Sequence, residues 1–423
     1  MESIQLLTPE IQKRISKFAN ILPQAGFKRP EIKFTISILT AMLKKHDVHL
    51  TVLTKSLGEK ITPKKTWERL SRHLSKEGLG EKLIEANIRR NKSKIKRLPY
   101  CVIDGSDIQK PEATKMEGLC RVRDGSRKSA DNKEIIGNGY HWLNGVMVSE
   151  DEMAPFYSDI YSLDYEGDNH VGENTKILDI TDIIGKINSQ AIFVIDRGGD
   201  RSNVMKPMLE AGKRFVVRAQ SQRSVRLHRD SSKSTNIRKL AGRVKTMRPV
   251  KSMRNGELFD VGIRRIYLWG RSMWLVVSRR RKNRGALSWY YTNIEGSREV
   301  VMEKVMEAYG LRWRVEEYHR QVKTDYGLEG ICFRKYSSIK NMGVILMISS
   351  AFCSLLPEGL VLKLLAVTGQ LPRRRLSDIP SYRYYMITMA VSTVLEHSVK
   401  QRYRPLRLRK LDFYQFNLKL STS

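Results

Sequence analysis

The spacing of apolar and polar positions divides the chain into a helical start, a mixed middle and a helical end. Residues 1 to about 95 carry apolar positions at helical spacing. Two segments there form a helix–turn–helix pattern: Leu50 to Leu57, then Gly58, then a second helix opening at Thr62-Pro63. The Thr62 hydroxyl can cap that helix, and Pro63 suits its first position, where no amide donor is needed. Trp67, Leu70 and Leu74 recur at i, i+3, i+7 and are expected to face inward. Lys64, Lys65, Arg69 and Arg72 are then expected to point outward, as a DNA-contacting helix requires. A solvated basic helix with no base contacts would show the same pattern.

A basic linker, Arg89 to Arg97, precedes a change of period. Tyr100 to Ile103 is a short strand-like run ending in Asp104, and a glycine-containing loop is expected after it. Tyr140 to Val148 and Pro155 to Tyr161 read as two further strands, and Ile177, Ile180, Ile184 and Ile187 mark an amphipathic helix. Ala191 to Ile195 is a continuous apolar run typical of a strand buried on both faces, and it ends in Asp196. A helix (Arg201 to Ala211) and another buried strand (Arg214 to Ala219) follow. Three strands, helix, strand, helix, strand is the order of a ribonuclease-H-like α/β core.

About 120 residues separate Asp196 from Glu316, too many for a simple connection. Strand-like runs within it (Ile263 to Leu268, Met273 to Ser278, Trp289 to Thr292) predict a β-rich insertion over about residues 221–295. Arg279 to Gly285 punctuates these runs as a basic turn, as if the insertion reaches onto nucleic acid. Helices then run to the end and close on a basic tail, Arg402 to Lys410. The expected organisation is a helical DNA-binding region (1–95), a catalytic region (96–335) and a helical C-terminal region (336–423).

Charge sharpens this picture. The 423 residues are 41% hydrophobic and 29% charged, as in globular chains, but 77 Lys+Arg stand against 44 Asp+Glu, a net +33. The basic residues recur along the whole length, so a polyanion is the natural partner. A basic protein of the ribosome or of a membrane surface fits less well, because ribosomal proteins are usually short and no amphipathic basic helix dominates. Cys101, Cys120, Cys332 and Cys353 show no zinc spacing and read as reduced cytosolic thiols. No signal peptide is evident at the start, and the longest apolar stretch, Met342 to Leu356, falls short of a bilayer span. A cytoplasmic protein is expected.

The segment from Val300 to Tyr326 reads as one helix advancing ~100° per residue. Leu311, Val315, Tyr318 and Val322 form its buried stripe. Tyr309, Arg312, Glu316 and Lys323 fall within an arc of roughly 60° on the opposite side. A carboxylate flanked by two cations and a phenol suits a phosphate-facing surface, although exposed helices carry similar charge patterns. Asp104 and Asp196, each ending an apolar strand, stand where α/β sheets place active-site groups, although either could serve a turn or cap alone. Three such carboxylates can hold two divalent ions ~3.5–4 Å apart, and oxygen-only donors favour Mg²⁺ or Mn²⁺.

The run Tyr309-Gly-Leu-Arg312-Trp313-Arg314-Val-Glu316-Glu317-Tyr-His-Arg-Gln-Val-Lys323 carries Tyr-x2-Arg-x3-Glu-x6-Lys without departure. It resembles the signature of bacterial insertion-sequence transposases of the IS-four family, the branch that cuts through DNA hairpins. Val102-Ile103-Asp104-Gly105-Ser106-Asp107-Ile108 is similar to that family's first-aspartate strand, Val194-Ile195-Asp196-Arg197 to its second, and Leu50 to Leu74 to its DNA-binding segment. The resemblance implies that Asp104, Asp196 and Glu316 ligate the metals, with Asp107 the rival for the first place. It implies that Tyr309, Arg312 and Lys323 hold phosphates near the cut and near a flipped base. Trp289 matches the position of an aromatic stacked on that base, with a core role as the alternative. Trp313 lies near the phosphate face, where DNA contact and packing are equally open, and His319 is expected to be solvated or packed. The resemblance also implies a homodimer on two DNA ends, joined through C-terminal helices. A nuclease without joining activity, or an inactive DNA-binding regulator, are the other readings.

Overall fold

The computed structural model describes residues 2–128, 134–165, 171–220, 222–246, 248–252, 256–282, 285–371 and 382–397. Five helices open the chain: α1 (Glu2–Ala19), α2 (Arg29–Lys45), α3 (Leu50–Leu57), α4 (Pro63–Leu74) and α5 (Leu79–Arg97). The mixed middle follows as β1 (Tyr100–Gln109), β2 (Cys120–Lys128), β3 (Glu134–Val148), β4 (Met153–Tyr161), α6 (Glu173–Ile187), β5 (Ile192–Ile195), α7 (Ser202–Glu210) and β6 (Arg214–Arg218). Next come β7 (Ser224–Val225), β8 (Thr235–Asn236), α8 (Ile237–Arg243), β9 (Arg248–Lys251), β10 (Leu258–Leu268), β11 (Arg271–Arg280) and β12 (Ser288–Thr292). The last described helices are α9 (Arg298–Gly310), α10 (Trp313–Thr324), α11 (Tyr336–Ser354), α12 (Glu358–Val367) and α13 (Tyr384–His397). The tail Arg402 to Lys410 lies outside the described residues, as do Asn283 and Arg284 of the expected basic turn. Arg279 and Arg280 of that turn belong to β11.

One ten-stranded mixed sheet organises the middle, in the order β2-β3-β1-β5-β6-β12-β11-β10-β9 with β4 beside β3. β1, β5 and β6 are parallel, and the remaining pairs are antiparallel. β9 to β12 of the long connection extend this sheet, because β12 pairs with β6, whereas β7 and β8 form a separate two-stranded sheet. Side chains alternate across the sheet. Tyr100, Val102, Val194 and Val216 pack with α9, α10 and α11 on one face. Cys101, Ile103, Phe193 and Phe215 pack with α6, α7 and α8 on the other. Burial on both faces explains why β5 reads as an unbroken apolar run. β1 does not stop at Asp104; it stays paired with β3 as far as Gln109↔Gly139, so the expected loop there is strand.

The opening helices share an apolar core with α11, α13 and the first sheet face. α11 is buried along nearly its whole length, and no single described helix is long and apolar enough to cross a membrane. α4 is capped by Thr62, whose hydroxyl accepts from the Lys65 N–H at 3.4 Å. Its buried stripe runs through Thr66, Leu70 and Leu74, at i, i+4, i+8. Trp67 therefore falls to one side, and it is 41% exposed rather than inward. Arg69 is not free to point outward, since it pairs with Glu59 at 2.7 Å. Lys64, Lys65 and Arg72 are exposed.

The far end of α4 is pinned by α11. Buried Asn341 donates to the carbonyls of Leu74 (2.7 Å) and Lys76 (2.9 Å), which the end of a helix leaves without intrahelical partners. Asn341→Leu keeps the number of side-chain heavy atoms and strands those carbonyls, so it should cost about 1–3 kcal/mol. Urea unfolding of the full chain measures this, and an unchanged midpoint would show that the contact does not hold α4 in place.

Candidate active site

The site forms where the parallel strands end. β1 and β5 pair through Ile103↔Ile195 and then part. Asp104 continues in β1 opposite Asn144 of β3. Asp196 leaves β5 and caps the short turn Arg197–Gly199, accepting from the Gly198 N–H at 2.7 Å. By strand alternation Asp104 shares the face of Tyr100 and Val102, which α9 and α10 cover. At the same level β6 presents Arg218, paired with Tyr290 of β12. Reading single motifs missed Arg218 and Tyr290. Arg218 ends a buried strand just as Asp196 does, and that position was the available signal.

The helix facing this row is two helices. α9 stops at Gly310 and α10 starts at Trp313, where a single helix from Val300 to Tyr326 was expected. Across the break the Arg312 N–H bonds to the Tyr309 carbonyl (3.2 Å), one residue short of α-helical spacing. The predicted stripe of Leu311, Val315, Tyr318 and Val322 is buried and holds α10 on the sheet, while Val301, Val305 and Ala308 hold α9. Arg312 thus reaches the strand ends. Its Nη1 lies 3.0 Å from the Asp104 carboxylate, and its Nη2 bonds to Glu316. The guanidinium also lies 5.7 Å from the Tyr309 ring centre, and Tyr309 packs against Tyr290 at 4.7 Å. Lys323 donates to the Asp107 carbonyl at 2.5 Å and stands 3.3 Å from Glu329.

The electrostatics follow from crowding. Burial pushes the Asp104 carboxyl up to about 7; Arg312 pulls it down, while Asp196 and Glu316 push it up further. Burial works against the Arg312 charge, but Asp104, Glu316 and Asp196 outweigh it and hold its proton more tightly than water would. Asp104 therefore senses both other carboxylates, with one guanidinium to offset them. Such an all-oxygen donor set suits a hard divalent cation. Among the described residues, no three acidic, His or Cys side chains already enclose a metal position. Arg312 occupies the space between Asp104 and Glu316.

The other candidates are placed differently. Asp107 falls on the opposite face of β1 from Asp104, and its carboxylate meets His141 Nδ1 at 2.8 Å. Trp289 lies at the site end of β12, but its ring is on the opposite face from Asp104. There it packs against the second core, and its indole N–H has no partner among the described residues. Trp313 packs edge-on to Tyr382 at 6.2 Å. His319 is buried, its pKa is pushed down to about 3 by burial, and its Nε2 meets Asn144 Nδ2 at 3.1 Å.

Fold and site together define an α/β enzyme core with an arginine-bridged acidic cluster at the ends of its parallel strands. Residues 97–352, more than half of the chain, match the transposase DDE domain family, and the chain belongs to it. It is thus a DDE transposase, a polynucleotidyl transferase with nuclease activity that moves DNA in mobile elements. No curated protein matches the chain.

The hydrogen bond to Asp107 pushes the His141 pKa up from 6.5 to about 10, and the Cys120 thiol adds in the same direction. A folded-state pKa above the unfolded one stabilises the fold fully below pH 6.5, and that share is lost as pH rises to about 10. His141→Gln should therefore flatten the stability profile between those limits. Thermal unfolding across that range measures it, and parallel profiles for variant and parent would refute the pairing.

Proposed function

We propose that the chain is a cut-and-paste transposase built on a ribonuclease-H-like core. Asp104, Asp196 and Glu316 are its metal ligands. The observation that carries this reading is the Arg312 bridge between Asp104, at the strand ends, and Glu316, on the facing helix. The three carboxylates would hold two Mg²⁺ or Mn²⁺ ions, which activate the attacking oxygen and stabilise the leaving one. Arg312 serves two partners: it bridges the carboxylates, and its planar fork suits a DNA phosphate as well. Lys323 and Tyr309 border the same face and hold neighbouring phosphates.

Water attacks a phosphodiester at the element end, and the freed 3′-hydroxyl attacks the other strand to give a hairpin. A second water opens the hairpin, and the 3′-hydroxyl then joins target DNA. Lys64, Lys65 and Arg72 on the exposed side of α4 contact the element ends. Two copies, joined through their C-terminal helices, hold two ends. Trp289, at the site end of β12, is the ring for an extruded base, and this role requires it to leave its packed position.

Asp104→Ala, Asp196→Ala and Glu316→Gln should each abolish cutting of element-end DNA in Mg²⁺ while binding stays within a few-fold. Loss on Asp107→Ala with retention on Asp104→Ala would move the first ligand to Asp107. On the same denaturing gel, Trp289→Ala should nick normally and form hairpins roughly tenfold to a hundredfold more slowly, since base stacking is worth ~1–3 kcal/mol. Equal slowing of both steps, or misfolding, would leave Trp289 in the core.

A further inference from the structure

The tip of the β10–β11 hairpin holds a residue that its backbone disfavours. Leu268 and Arg271 pair across a two-residue turn, and both turn residues have positive φ, 49° at Trp269 and 73° at Gly270. A turn of this hand takes Asn-Gly most readily, whereas a bulky ring with a left-handed backbone is an outlier. Trp269 nonetheless remains 36% exposed.

Its surroundings are cationic. The Arg223 guanidinium lies 5.4 Å from the Trp269 ring centre and is itself held by Asp200 at 2.5 Å. Asp200 ends the turn that Asp196 caps, so Arg223 ties the tip to the turn beside the active site. Arg229, Arg271, Tyr267 and Ser272 line a concave surface around Trp269. Arg229 and Arg271 are both exposed, and the exposed acid Asp230 follows Arg229 in sequence. Three strand positions inward from the tip pair, Arg265 lies over Trp274 at 3.9 Å and bonds to Ser272.

An exposed, strained indole ringed by arginines has the chemistry of a nucleic-acid contact: cations for phosphates and a ring for a base or sugar. We infer that the hairpin tip is a second contact for duplex DNA. Arg229 and Arg271 grip the backbone there, and Trp269 packs into the groove. This contact rests on the reading of the protein as one that acts on DNA, and it lies apart from the carboxylate cluster.

Trp269→Asn separates the two roles, because Asn accepts the left-handed turn and removes the ring. In the full chain it should unfold at the parental temperature or higher. It should also bind a fluorescein-labelled random-sequence duplex about tenfold more weakly. The slope of affinity against salt should not change, because a ring contact releases no counterion, whereas Arg271→Ala should lower that slope by about one. Parental affinity in Trp269→Asn, with the parent binding normally, overturns the inference and leaves the catalytic reading intact. Weaker binding accompanied by a lower unfolding temperature overturns it too, by showing that the ring packs the hairpin. A parent that does not bind the duplex overturns both.

Discussion

The structure is arranged around one guanidinium. Arg312 lies between Asp104 and Glu316, close enough to Asp196 to feel its charge. Carboxylates brought together beneath a helix repel one another and resist desolvation, as the raised proton affinity of Asp104 records. Two features of the chain make the contact possible. β1 outlasts β5 because β3 continues to pair with it, which leaves Asp104 fixed in a strand and Asp196 on a turn. A helix break at Leu311-Arg312 separates α9 from α10, while Val301 and Val305 keep the first, and the stripe from Leu311 to Val322 the second, on the sheet.

The same sheet face that carries Asp104 continues into the core shared with the opening helices. Orientation of α4 is therefore set by α11, through Asn341 and its buried length. A helix bearing Lys64, Lys65 and Arg72 on its exposed side is held in register with the site by apolar packing and two hydrogen bonds. A flexible linker would leave that geometry unset.

Much of this was legible in the sequence, for a physical reason. Continuous apolar runs mark doubly buried strands, so β5 and the start of β1 stood out, and with them Asp196 and Asp104. Helical spacing likewise put Arg312 and Glu316 on one face. What was not legible depends on tertiary pairing. β1 runs past Asp104 only because β3 supplies a partner, and β2 was hidden because just Cys120 and Val122 of its alternation are apolar. Trp67 was expected inward, but the core contacts Thr66, Leu70 and Leu74 instead, a shift of one position that spacing alone does not fix. Tyr290 and Trp289 are neighbours in sequence on opposite sheet faces, and only the register with β6 tells which ring meets Tyr309.

On the proposed function, Arg312 occupies, between the carboxylates, the place a divalent cation would take. Titration of Mn²⁺ into the protein without DNA, followed by the electron paramagnetic resonance signal of the free ion, tests this directly. Arg312→Gln removes the competing positive charge and should bind Mn²⁺ more tightly than the parent, by roughly tenfold or more. Equal or weaker Mn²⁺ binding in Arg312→Gln would show that the guanidinium does not hold the cation's place.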